Sequence, residues 1–211
     1  MQVRKLFEPE LYPDSRGLSI AVYDRLFGTV EERRKSTCAF GFEINPLHTE
    51  SLSAVEAAYM RRGWQTRFFT QTGVGVDFSQ GDLRGANDPD HLDWGAQLTF
   101  AQTGASNTVA RFVDIADLVR IIANRNSGDR FNGTSGNIVA KLDIEGGEYL
   151  VLPHLLLTGT LCSIRYIGVE FHPGGTMLRE LVQSKLAQQA CRTEVSIDDD
   201  KLYAFSSFPL P

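Results

Sequence analysis

The segment that most constrains this chain is Asn137-Ile138-Val139-Ala140-Lys141-Leu142-Asp143-Ile144-Glu145. It reads as a buried strand that ends in two acids and turns through Gly146-Gly147 into a short helix reaching about Thr158. A strand that leads straight into a helix needs a crossover partner. Similar pairs stand on both sides of it. Residues 37–43 read as a strand, Asn45-Pro46 breaks it, and an amphipathic helix follows over roughly 50–62, with Ser53-Ala54-Val55-Glu56 as a capping-box pattern and Gly63 as its stop. Residues 64–69 and 108–113 read as strands, the latter feeding a helix over 114–124 with Asp114 as N-cap. Residues 163–171 read as another strand, followed by a helix over about 176–190. This alternation implies βαβ units, so the expected fold is α/β with a mainly parallel sheet flanked by helices.

Three segments depart from that rhythm. Residues 1–36 are mixed: 18–23 fit strand or helix, and the charge run Glu31-Glu32-Arg33-Arg34-Lys35 reads as a solvated loop. Residues 77–108 are rich in Gly, Asp and Asn and read as a long loop carrying a hairpin, with one strand near 96–100; a loop of this length is expected to shape what the site accepts. The tail, 193–197 and 202–206 around Asp198-Asp199-Asp200-Lys201, reads as an antiparallel hairpin. One domain over 1–211 is the expected organisation.

Composition excludes several classes. The formal net charge is −5, against the basic balance of a nucleic-acid binder. No apolar run reaches the length of a membrane span. Arg4, Lys5, Glu8 and Glu10 punctuate the start of the chain, unlike a signal peptide, so a cytoplasmic protein is expected. The three cysteines, Cys38, Cys162 and Cys191, are far apart and odd in number. They are expected to be buried thiols in a reducing compartment, without a structural zinc site. Neither GxSxG, HExxH nor GxxxxGK[ST] occurs. Asp82, Asp88, Asp90 and Asp93 lack calcium-loop spacing, and His48, His91 and His154 read as structural or surface residues.

In sheets of this class ligands lie beyond the carboxyl ends of the strands. That rule selects Glu43, Thr72, Asp143, Glu145, Glu170 and His172. A carboxylate such as Glu43 can accept both hydroxyl protons of a ribose. Period-two alternation puts Lys141, Asp143 and Glu145 on one strand face. Glu148 reads as the acid that starts the next helix. Asp143, Glu170 and His172 on neighbouring strand ends could orient or deprotonate a substrate hydroxyl, or hold a divalent metal through their donor atoms.

Four segments together resemble the FkbM-type family of S-adenosylmethionine-dependent methyltransferases. They are Cys38–Pro46, the stretch from Leu52 through Arg62-Gly63-Trp64, Lys141-Leu142-Asp143-Ile144-Glu145-Gly146-Gly147-Glu148-Tyr149 against the family's K-x-D-x-E-G-x-E signature, and Ile167–His172. The resemblance covers about residues 36–208. It implies a Rossmann-like sheet with a reversed hairpin strand at one edge, S-adenosylmethionine as cofactor, and a small-molecule or glycan acceptor. Glu43, with Asn45 beside it, would bind the ribose end; Thr72 and Gly73 would lie near the adenine; Asp143 would sit near the transferred methyl; Glu145 and Glu148 would support the site. The family's Gly-rich turn after its first strand has no counterpart before Gly17, and Pro9 removes a backbone donor there. Residues 3–8 are expected to fill the first-strand position. A methyltransferase-fold binding module without catalysis is the alternative, and a nicotinamide-dependent oxidoreductase the weaker third reading.

Overall fold

A computed structural model describes residues 2–12, 18–78, 80–84, 97–99, 109–126, 136–172 and 175–197. The chain is mixed α/β. It divides into two compact units, one formed by 1–73, 80–111 and 200–211, the other by 74–79 and 112–199.

The first unit opens with helices. Residues expected to fill a first strand are instead α1, Gln2–Phe7. The reason is its packing. Lys5, Leu6, Phe7 and Glu8 are all buried in succession, and the Glu8 N–H closes a helical bond to the Arg4 carbonyl at 2.6 Å. Arg4 Nε donates to Glu8 Oε2 one helical turn on, at 3.0 Å. The Phe7 ring sits 5.6 Å from that of Trp64 and 5.7 Å from that of Tyr59. α2 spans Leu18–Phe27 and ends at Gly28, whose φ of +77° suits glycine.

The charge run is likewise no loop. It forms α3, Val30–Ser36, started by a capping box in which Thr29 and Glu32 satisfy each other's backbone N–H groups. Its third charge is buried: Arg33 is 0% exposed and donates to Asp24 and to the Gly28 carbonyl. Arg34 donates to the last carbonyl of α1, that of Phe7, at 2.8 Å and covers the Trp64 ring. The pattern Thr29-x-x-Glu32 was the available sequence signal for this helix.

From there the expected βαβ unit appears. β1, Cys38–Glu43, pairs in parallel with β2, Gln65–Thr70, in the register Cys38↔Gln65 to Glu43↔Thr70. The crossover is α4, Thr49–Arg61, which starts four residues before Ser53. Glu56 therefore caps nothing. Its carboxylate takes the Phe68 N–H on β2 and the Arg67 guanidinium, tying helix to strand. β3, Thr72–Gly75, β4, Gln80–Arg84, β5, Gln97–Thr99, and β6, Val109–Asp114, form a four-stranded sheet in the order β3-β6-β4-β5. β4 is antiparallel to both β5 and β6, so a hairpin does lie within the 77–108 segment.

The second unit holds α5, Ile115–Asn126; β7, Val139–Leu142; α6, Glu148–Leu157; β8, Tyr166–Val169; α7, Gly175–Gln188; and β9, Glu194–Ile197. Asp114 caps α5 as expected, accepting the Ala116 N–H at 2.7 Å. The sheet order is β7-β8-β9, parallel throughout. β8 is central and buried at all four positions, as a strand covered on both faces must be. Ile167, Val169, Leu152, Leu155 and Val182 form the dry centre of its core. Both strands are shorter than the sequence suggests. β7 stops at Leu142 because Glu145, at φ +50°, and Gly146, at φ +93°, turn the chain. Ahead of β8, residues 160–163 wind as a 3₁₀ turn. β9 joins the sheet in parallel; the expected return strand, 202–206, lies outside the described residues.

Cys162 and Cys191 form a disulfide, with Cα atoms 5.1 Å apart. This corrects the expectation of three free thiols, which rested on sequence distance alone; the α7 crossover brings the two together. Cys38 is free and exposed. Among the described residues no helix is long and apolar enough to cross a membrane.

Candidate functional site

The signature segment builds its geometry around a buried carboxylate. Register puts Leu142 beside Val169, so β7 and β8 end together, and the Glu170 N–H still reaches the Leu142 carbonyl at 2.9 Å. Past β7 the chain makes a tight turn, with the Gly147 N–H on the Ile144 carbonyl at 2.9 Å. That turn delivers Glu148 to the start of α6 with no exposed surface. Its Oε2 accepts the Gly146 N–H at 2.9 Å. Its Oε1 accepts the His172 N–H at 2.9 Å and lies 2.9 Å from His172 Nδ1. One carboxylate thus fixes both the turn after β7 and the chain after β8. Tyr149 adds a bond from its hydroxyl to the His172 carbonyl at 2.8 Å.

His172 is gripped from both sides. Its Nε2 lies 3.2 Å from Glu145 Oε2, opposite the Glu148 contact. Partial burial pulls the imidazolium down, but the hydrogen bond and charge of Glu148, then the charges of Glu145 and Glu170, outweigh it and hold His172 above its ordinary pKa. A ring whose two nitrogens each face a carboxylate is engaged on both sides and braces the two turns it joins.

The expected trio therefore does not assemble as anticipated. His172 binds Glu148 and Glu145; Glu170 lies 3.6 Å from Lys141 Nζ. Asp143 is exposed just past the end of β7. Among the described residues no three His, Cys, Asp or Glu side chains group as a metal site. The donor set of Asp143, Glu170 and His172 does not fit a divalent ion, because both imidazole nitrogens are already engaged.

In the first unit Glu43 ends β1, in register with Thr70 of β2. Its Oε1 accepts the Asn45 N–H at 2.7 Å, and Oε2 carries no hydrogen bond among the described residues. One oxygen is fixed and the other is unbonded among the described residues, an arrangement that can receive a ribose hydroxyl. Asn45 is buried and spends its Oδ1 on the Leu47 N–H at 3.0 Å, capping the 3₁₀ turn Pro46–His48. Thr72 donates to the Thr70 carbonyl at 3.0 Å, and Gly73 follows within β3. Glu43, Thr70 and Thr72 thus gather at one corner, beyond the ends of two parallel strands.

Sequence reasoning passed over one linked pair. His154 Nε2 lies 2.9 Å from Asp114 Oδ1, joining α6 to the cap of α5. Burial opposes ionisation of Asp114, but the His154 bond and two backbone N–H groups overcome it and lower its pKa. This pair is structural, and nothing in the spacing of residues 40 apart announces it. No family model, no curated protein and no solved structure matches the chain.

Proposed function

We propose that this chain is an S-adenosylmethionine-dependent methyltransferase acting on a hydroxyl or carboxyl oxygen of a small molecule or glycan. The observation that carries the reading is Glu43, a carboxylate held by the Asn45 N–H at the carboxyl end of a parallel strand. Each of β1-α4-β2 and β7-α6-β8-α7-β9, taken by itself, is a parallel crossover unit of the kind that Rossmann-like folds use. The FkbM resemblance of residues 141–149 supports the reading. The bound cofactor would supply an electrophilic methyl group.

The chain's own contribution is positioning. Glu43 would hold the ribose hydroxyls, with Thr72 and Gly73 bordering the same corner. Asp143, exposed past β7, would orient the acceptor hydroxyl and take its proton. Glu148 and His172 keep the Asp143 turn in shape and are positioning residues. No step is assigned to a metal.

A second reading, a binding module on the same fold, draws on one finding: residues 2–7 form a helix where the family's first strand was expected. Transfer of tritiated methyl from S-adenosylmethionine to a panel of phenols, carboxylates and oligosaccharides separates the two. Label in an acceptor fraction, lost in Asp143→Asn while the variant stays folded, supports the enzyme. A folded chain that labels nothing and does not bind S-adenosylhomocysteine supports the binding module, whose cofactor site is degenerate.

A further inference from the structure

The Cys162–Cys191 bond ties the 3₁₀ turn 160–163 to the connection between α7 and β9. That connection is already held without it. Thr193 Oγ1 donates to the Leu161 carbonyl at 2.9 Å, the Glu194 N–H reaches the Arg165 carbonyl at 3.1 Å, and Arg165 Nη2 meets Glu194 Oε1 at 3.0 Å. β9 is laddered to β8 over all four of its residues. Breaking the sulfur bond therefore leaves the strand seated.

The bond is also reachable. Cys162 is exposed, and Cys191 lines an open cleft of about 400 Å³ with Gln183, Leu186, Ala187 and Val195. Gln189 Oε1 lies 3.6 Å from Cys162 Sγ and 3.7 Å from Cys191 Sγ, so one acceptor waits for an S–H on either sulfur. Ala190, just before Cys191, sits at φ +54°, a conformation costly for a residue with a Cβ and therefore dependent on its surroundings.

We propose that Cys162 and Cys191 are a reversible thiol–disulfide pair, exchanging with a small dithiol through the α7–β9 cleft. A dithiol's first thiolate attacks Cys191 Sγ and displaces Cys162 as a solvated thiolate, which takes a proton. The dithiol's second thiolate then attacks its own sulfur in the mixed disulfide and releases Cys191, which is protonated in turn. Two electrons pass, giving two cysteine thiols and a cyclic oxidised reductant.

The test uses the full chain carrying Cys38→Ser, so that two thiols are counted. It is equilibrated with reduced and oxidised dithiothreitol in varied ratio, then trapped with a maleimide and weighed. The expected result is two maleimides added under native conditions, a retained cooperative melt, re-closure on oxidised dithiothreitol, and exchange of the 189–193 amides faster by about tenfold in the reduced form. Reduction only in denaturant, loss of the melt on reduction, or failure to re-close would each overturn the proposal.

Discussion

Glu148 shows what a single buried charge does here. It has no exposed surface, yet it accepts two backbone N–H groups and faces the His172 ring. Removing its charge leaves His172 with Glu145 as its remaining ring partner. Glu148→Gln should cost about 1.5–3 kcal/mol in urea unfolding at pH 6, the range for hydrogen bonds to charged groups. The pH dependence has a definite sign. His172 titrates higher in the folded chain than its ordinary 6.5, so its contribution is complete below about pH 6.5 and fades as pH rises through the folded value. The wild-type chain should lose stability over that window, and Glu148→Gln should lose less. Equal slopes would mean that the pair does not form. The sequence shows Glu148 as a helix-start acid. Its reach to a histidine 24 residues away depends on β7 and β8 ending side by side, which no local pattern encodes.

At the scale of elements, legibility follows how local the cause is. α4, α5, α6 and α7 announce themselves through periodicity, caps and glycine stops, and β1, β2 and β8 through apolar runs. α3 was hidden by its charges: five consecutive polar residues read as solvated, although Thr29 and Glu32 spell its cap. α1 was hidden by expectation, because a short run with two buried charges fits a strand as well as a helix until Tyr59 and Trp64 are in place. The β1–β2 pair offers a sharp test. A Cβ on Gly41 would lie 2.4 Å from the Phe68 ring. Gly41→Ala should therefore destabilise the chain by about 1–3 kcal/mol, as overpacking does. Adding Phe68→Leu should recover part of that loss in thermal melts. A neutral Gly41→Ala would show that β1 and β2 do not pack in this register.

For the whole molecule, the sequence carries the α/β class and the places where acids meet strand ends, but not the sets of contacts those acids make. Asp143, Glu170 and His172 lie just past the ends of two adjacent strands. Glu170 meets Lys141, and His172 meets Glu145 and Glu148, pairings that form only once the turn after β7 is folded. The disulfide was equally illegible, since residues 29 apart meet only through α7. Cofactor binding is the claim on which the functional reading rests, and calorimetric titration of the folded chain with S-adenosylhomocysteine tests it most directly. The account predicts a dissociation constant on the order of micromolar, about −8 kcal/mol. It predicts affinity about 10- to 100-fold weaker in Glu43→Ala, matching one lost charge-assisted hydrogen bond. No heat of binding in a sample with an intact melt, or equal affinity in Glu43→Ala, would contradict it.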